Sequence, residues 1–91
     1  MITREQTKAY YDKFAKMIAK RNFTPAGLLN HLRKNYGDKW SIEPYLYSQG
    51  TCYMSNEEVQ ITFFFKGSKC HIDKCVQVWD EDTEAWIDER I

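Results

Sequence analysis

Hydrophobic residues recur at helical spacing through the first part of the chain. In the first predicted helix they stand three and four residues apart: Tyr10, Phe14, Met17 and Ile18. No glycine or proline interrupts residues 3–22, and Thr3 and Gln6 have the spacing of a capping box, in which each side chain binds the other residue's backbone N–H. The pattern therefore predicts a helix of about five turns.

A second helix is predicted immediately afterwards. Thr24 suits its N-cap, and Pro25 suits its first position because the N–H that proline lacks would have no partner there. Gly37 suits the left-handed residue that ends many helices. The apolar face consists of Leu28, Leu29, Leu32 and Tyr36. Because only residues 21–23 separate the two helices, we expect them to form a tight helical hairpin or corner.

After Trp40 the apolar residues alternate with polar ones, which is the pattern of β-strands. The clearest strand spans residues 58–66 and carries on one face Val59, Ile61, Phe63 and Phe65. Shorter strands are predicted from Ile42 onwards, at residues 51–54 and within residues 69–79. We expect these segments to form a three- or four-stranded antiparallel β-meander.

The last segment, from Trp79 to Ile91, is predicted to be a short acidic helix. Asp80 or Asp82 suits its N-cap, and Ile87 and Ile91 share a face. The order of elements predicts one α+β domain over residues 1–91, with an N-terminal helical hairpin, the antiparallel meander and the short C-terminal acidic helix. A chain of 91 residues leaves no room for a second core.

The two halves of the chain are oppositely charged, although the formal net charge is zero. Residues 1–40 carry nine lysines and arginines against three acids, a net of +6, and residues 41–91 carry four against ten, a net of −6. Six acids fall at the C-terminus: Asp80, Glu81, Asp82, Glu84, Asp88 and Glu89. This asymmetry favours an interaction surface, although two oppositely charged elements lying side by side would also explain it.

Aromatic residues are predicted on the sheet face that points away from the helices. If Val59 and its alternating neighbours face the helices, the opposite face carries Tyr45, Tyr47, Phe64 and Trp79. An exposed aromatic face is typical of a surface that binds a partner, because Tyr and Trp supply contact area at low entropic cost. Alternatively, the C-terminal helix folds over this face and buries Trp79 and Trp86.

The sequence contains no specific catalytic, cofactor or phosphate-binding motif. Cys70-His71-x3-Cys75, with Cys52 upstream, is the only plausible metal site, but its spacing would place the ligands on opposite faces of a strand. We therefore expect no metal, no cofactor and no enzymatic activity. An odd number of cysteines, no secretory leader and no apolar run of membrane-spanning length favour a cytoplasmic protein with reduced thiols.

Two stretches resemble nucleic-acid-binding families. Residues 14–36 resemble the opening of a helix-turn-helix, but strands follow where its recognition helix would stand. Residues 24–30 resemble the start of a double-stranded-RNA-binding domain, but the basic start of that family's last helix would fall on Asp80, Glu81 and Asp82. We therefore assign neither family. Nucleic-acid binding by the two helices remains the alternative function, through Lys13, Lys16, Lys20, Arg33 and Lys34.

The leading hypothesis is a small non-catalytic protein that occupies a surface on a macromolecular partner. The six C-terminal acids would supply its charge, and the aromatic sheet face would supply its contact area. Clustered carboxylates suit a basic groove that normally holds nucleic acid, so the size and charge resemble those of phage-type inhibitors of host nucleic-acid machinery, which act in anti-defence or regulation. A homodimer is a further partner state that the sequence allows.

Overall fold

The structure, a computed structural model, describes residues 1–44, 50–67 and 69–91. Two helices, α1 (Arg4–Lys20) and α2 (Pro25–Tyr36), come first. Six strands follow: β1 (Ser41–Pro44), β2 (Thr51–Ser55), β3 (Val59–Lys66), β4 (Lys69–Ile72), β5 (Cys75–Asp80) and β6 (Ala85–Arg90). Helices and an antiparallel sheet make this an α+β protein.

Strand β3 organises the sheet, because three other strands pair with it. The strand order is β1-β2-β3-β5-β6, and β4 also pairs with β3. All these pairs are antiparallel. Strands β5 and β4 share one side of β3: Val59 and Gln60 pair with β5, and residues 63–66 pair with β4.

The predicted number of strands is wrong, partly because one predicted strand forms two separate strands. The segment predicted within residues 69–79 divides into β4 and β5 at residues 73–74. There the Asp73 carboxylate accepts a hydrogen bond from the Cys75 backbone N–H at 2.9 Å, which turns the chain. With β6 added, the meander of three or four strands becomes a six-stranded sheet.

The predicted C-terminal acidic helix is also wrong. Residues 81–84 form a turn, and β6 returns alongside β5. The Asp80 carboxylate closes this turn, because it accepts from the Asp82 backbone N–H at 3.1 Å and from the Thr83 hydroxyl at 3.0 Å. Aspartate suits both a helix N-cap and such a turn, because its short side chain accepts hydrogen bonds from backbone N–H groups that follow it closely in the chain. Trp79 and Trp86 then pair across the strands, edge to face, with ring centroids 5.3 Å apart.

The starts of both helices form as the sequence predicts. Thr3 and Gln6 make both hydrogen bonds of the capping box. The Thr24 hydroxyl accepts from the Gly27 backbone N–H at 3.0 Å, and Pro25 begins α2. Local side-chain chemistry therefore decides where each helix begins.

The hydrophobic core lies between the helices and one face of the sheet. Phe14 of α1 is fully buried and contacts Trp40 and Phe63, at ring-centroid distances of 5.4 and 6.5 Å. Leucines from α2 join it, and from the sheet come Met54, Val59, Ile61, Cys70 and Val76. The predicted inward face of β3 is thus the buried one.

The opposite face of the sheet has no helix over it among the described residues. Phe64 on this face is 38% exposed, whereas Trp79 is half-buried against Trp86. The alternative in which a C-terminal helix covers this face is therefore wrong. Tyr45 and Tyr47 lie outside the described residues.

Trp40 gives a test of this core, because its indole N–H makes no hydrogen bond although the residue is only 1% exposed. Trp40→Ala should lower the free energy of unfolding by about 3–5 kcal/mol, the usual cost of removing a large buried ring. Trp40→Phe should cost much less, since it keeps an aromatic ring in the core and loses only an indole N–H that has no hydrogen-bond partner. Urea denaturation measures both. Equal losses for the two variants would contradict this description of the indole.

Candidate functional site

A basic groove lies between α1 and α2. Lys13, Lys16 and Lys20 project into it from α1, because spacings of three and four residues bring side chains to one helix face. The groove encloses about 370 Å³. Its complete lining is Lys13, Lys16, Met17, Lys20, Arg21, Phe23, His31 and Tyr36. None of these eight residues is acidic, so the groove presents positive charge without an internal counter-ion.

A second hollow of about 430 Å³ continues the groove along α2. Arg21 and His31 line both hollows. The second one adds the ammonium group of Lys34 and the amides of Asn30 and Asn35. The positive surface therefore extends from the middle of α1, across the connection between the helices, to the last turns of α2. We refer to the two hollows together as the basic groove.

Arg21 is held in a defined position where the two hollows meet. Its guanidinium carbon lies 4.3 Å from the centre of the Phe23 ring, a cation–π contact. Its Nη2 atom lies 3.5 Å from His31 Nδ1. Phe23 is buried and its ring centroid is 5.4 Å from that of His31. These contacts order a long side chain before any ligand arrives, which lowers the entropic cost of binding.

The surroundings of His31 disfavour the protonated form of its ring. Burial lowers its pKa below the usual 6.5, and the positive charges of Arg21 and Lys34 lower it further. The Nδ1 atom lies 3.5 Å from Arg21 Nη2 and 3.4 Å from Asn35 Nδ2. An anion in the groove would offset those positive charges and raise this pKa.

The basic residues predicted from the sequence do not all meet in the groove. Lys13, Lys16, Lys20 and Lys34 line it. Arg33 does not, since its Nε–H donates to the Trp40 backbone carbonyl at 2.7 Å and ties α2 to the segment that enters the sheet. Arg21 also lines the groove but has no role in the sequence prediction, because it follows the end of α1 and meets the groove only where α2 lies beside that helix.

The predicted acidic residues separate into three environments. Asp80, Glu81, Asp82 and Glu84 lie at the β5–β6 turn, which we call the acidic turn, and among the described residues none of the four forms an ion pair. Asp88 accepts a hydrogen bond from the Gln77 side chain at 3.0 Å on the uncovered sheet face. Glu89 pairs with Arg4 at the start of α1, with 3.4 Å between Nη1 and Oε1.

The uncovered sheet face contains a shallow hollow of about 350 Å³. Phe64, one of the predicted aromatic residues, lines it together with polar side chains that include Thr62, Gln77 and Asp88. Trp79 is not among its lining residues and packs on Trp86 instead. Tyr53 also lines the hollow, and Trp79 and Trp86 pair on the same face, so the described part of this face is aromatic as well as polar.

The three cysteines are free, and two of them are buried. Burial raises the pKa of the Cys52 thiol, and burial together with the nearby Cys52 raises that of Cys70 to about 11. Within residues 1–44, 50–67 and 69–91, no group of three or more His, Cys, Asp or Glu side chains is placed to share a metal ion. The expectation that Cys70, His71 and Cys75 bind no zinc stays a prediction.

Comparison with protein-family models, curated proteins and solved structures gives no match for this chain. Within the described residues, no helix is long and apolar enough to cross a membrane. The chemistry of the basic groove and of the acidic turn is therefore the basis for assigning a function.

The thiols should differ in reactivity. At pH 8 a thiol with a pKa of about 11 is ionised on the order of 0.1% of the time, and the thiolate is the reactive form. Iodoacetamide should therefore modify half-buried Cys75 first and Cys70 last in the native protein, and all three cysteines alike in denaturant. Peptide mass spectrometry over time measures this order. Rapid native modification of Cys70 would contradict its burial.

Proposed function

We propose that this protein is a non-catalytic nucleic-acid-binding protein that holds the phosphate backbone in the basic groove. The observation that carries the proposal is the lining of the first hollow, in which four of eight residues are basic and none is acidic. Basic side chains on one surface displace the counter-ions of nucleic acid, and this release drives sequence-independent binding.

The spacing of the lysines suits a run of phosphates. Lys13 and Lys20 are separated by about 10 Å along the axis of α1, at 1.5 Å per residue. A nucleic-acid strand in a duplex carries a phosphate about every 3.4 Å along the helix axis. The three lysines therefore match a backbone segment of several phosphates. All three are exposed, and neither ion pair among the described residues involves them.

Arg21 and Tyr36 add groups that contact bases. The guanidinium of Arg21 already lies over the Phe23 ring, and half-buried Tyr36 lines the same hollow. Unstacked bases pack on aromatic rings and on guanidinium planes. A groove that combines such groups with phosphate-binding lysines is typical of proteins that bind single strands or loops.

A second candidate function is the binding of a basic protein partner through the acidic turn. Four carboxylates stand on this turn without an ion pair among the described residues, which is the observation that favours it. In this form the protein is an inhibitor of nucleic-acid-processing machinery, of the phage-type anti-defence or regulatory kind. Exposed charges of this type act chiefly by accelerating association.

We propose a cytoplasmic location for either function. Its support is the set of three free cysteines, which persist as thiols in a reducing compartment. A nucleic-acid target or a nucleic-acid-processing partner would be available there.

Removal of the groove lysines tests the first function. The combined change Lys13→Gln, Lys16→Gln and Lys20→Gln should reduce the slope of log K against log salt by about 2–3, since each phosphate contact contributes about 0.7–0.9. Affinity at low salt should fall correspondingly. Fluorescence anisotropy with a labelled single-stranded oligonucleotide measures both. Duplexes of the same sequence show whether binding requires an open strand.

A matched control removes three exposed lysines elsewhere. Lys66→Gln, Lys69→Gln and Lys74→Gln change the net charge equally but leave both hollows of the groove intact. This variant should keep most of the wild-type affinity. Equal losses for the two variants would mean that net charge, and not the groove, governs binding. No binding by the wild type at low salt would reject the first function.

Neutralising the acidic turn tests the second function. The change Asp80→Asn, Glu81→Gln, Asp82→Asn and Glu84→Gln should leave the melting temperature near that of the wild type, because an asparagine at the first of these positions retains a side-chain oxygen that closes the turn. Surface changes usually alter stability by less than about 0.5 kcal/mol each. A protein partner should associate more slowly with this variant and normally with the lysine variant. Surface plasmon resonance on partners isolated from the native cells measures the two rates.

A further inference from the structure

The acidic turn lies at the opposite end of α1 from the basic groove. Glu81 shares a hollow with Glu57 and Glu58, next to Met1 and Gln6 at the beginning of the helix. Arg4 contacts Glu89 at this same end. The basic groove, in contrast, is lined by the second half of α1 and by α2. The molecule therefore has one acidic end and one basic end.

The two ends are too far apart to neutralise each other within one molecule. Measured along α1 from Gln6, which lines the same hollow as Glu81, Lys13 lies about 10 Å away and Lys20 about 21 Å away, at 1.5 Å per residue. An ion pair requires about 4 Å, and charges separated by more than about 10 Å are largely screened at 0.1 M salt. Both surfaces are therefore free to bind a group of opposite charge from another molecule.

We propose that the basic groove holds the acidic turn of a second copy of this chain, so that copies associate head to tail. The inference goes beyond the proposed function, because it assigns to the same groove a second ligand that competes with nucleic acid. Self-association then covers the lysines that contact phosphates, and a nucleic acid releases them by displacing the neighbouring copy.

Charge complementarity favours this occupant. The turn carries four carboxylates within five consecutive residues, and the groove offers the five cationic side chains of Lys13, Lys16, Lys20, Arg21 and Lys34. The formal net charge of zero removes the long-range repulsion that would keep copies separate.

Such an interface is heterologous, because it joins two different surfaces. Each added copy leaves one free groove and one free acidic turn, so the assembly grows as an open chain unless its geometry closes a ring. This arrangement predicts an outcome that an ordinary two-fold dimer does not give. Loss of either surface alone blocks self-association. A copy without the groove charges and a copy without the turn charges still form one pair, because each keeps the surface that the other lacks.

The test uses two variants of the full chain. The groove variant carries Lys13→Gln, Lys16→Gln and Lys20→Gln, and the turn variant carries Asp80→Asn, Glu81→Gln, Asp82→Asn and Glu84→Gln. Sedimentation velocity should show concentration-dependent association of the wild type at about 25 mM NaCl and at least about tenfold weaker association at 300 mM, where charges are screened. Each variant alone should remain monomeric. Their equimolar mixture should form a one-to-one complex.

Several results would overturn the inference. A wild type that is monomeric at low salt, variants that still dimerise alone, or a mixture that stays monomeric would each exclude head-to-tail docking. Dimers of both variants would instead indicate a two-fold interface such as the β6 edge. NMR spectra of isotope-labelled wild type at successive dilutions give an independent measurement that needs no variant. Amide signals from residues 13–21 and 80–84 should shift together, and shifts confined to other residues would reject the interface.

The turn variant separates this inference from the proposed function. Its groove is intact, so it should bind a single-stranded oligonucleotide at least as tightly as the wild type does. Binding of the oligonucleotide without any self-association would reject the inference and leave the proposed function in place. Head-to-tail association without oligonucleotide binding would support the inference and reject nucleic acid as the groove's ligand.

Discussion

The packing of Phe14 against the sheet is the contact on which the rest of the structure depends. Its ring meets Trp40, Phe63 and Tyr36, with centroid separations of 5.1 to 6.5 Å, and so joins both helices to the central strand. Fixing Phe14 inside also fixes the rotation of α1 about its axis. Lys13, Lys16 and Lys20 must then lie at the helix surface, where α2 completes the groove.

Charge separation follows from this orientation. Helix α1 begins beside Glu57, Glu58 and Glu81 and ends beside Arg21 and the lysines of the groove. The acids at its beginning are favourably placed, because a helix N-terminus carries partial positive charge. Few of the charged side chains form ion pairs within the molecule. In the described part of the chain, ion pairs join Arg4 to Glu89 and Lys8 to Asp12. Most of the charge therefore remains available for binding.

The groove and the acidic turn differ in the contacts that their charged side chains make. Arg21 is held by Phe23 and lies beside His31, so part of the groove is ordered without a ligand. The acidic turn is held by the Asp80 side chain, whose two oxygens bind the next residues. Glu81 and Glu84 project from that turn as exposed charges. Contacts that position a side chain before binding favour affinity in the groove, whereas exposed carboxylates on the acidic turn favour fast association with a partner.

The sequence by itself determined the features that depend on neighbouring residues. The capping box at Thr3, the N-cap at Thr24 and the buried face of β3 involve positions a few residues apart, so their patterns are readable in the chain. The opposite charges of the two halves are likewise a property of composition. These features suffice to predict the α+β class and the row of lysines on one face of α1.

Only the tertiary structure decided between a helix and a hairpin at the C-terminus. The apolar spacing of residues 79–91 suits either form, and the choice follows from β5 pairing with Val59 and Gln60, about eighteen residues earlier. The structure also placed Arg21 in the groove and turned Arg33 towards the Trp40 carbonyl. Such contacts join residues that are distant in sequence or belong to separate elements. Local periodicity carries no information about them, because it reports only which side of an element is apolar.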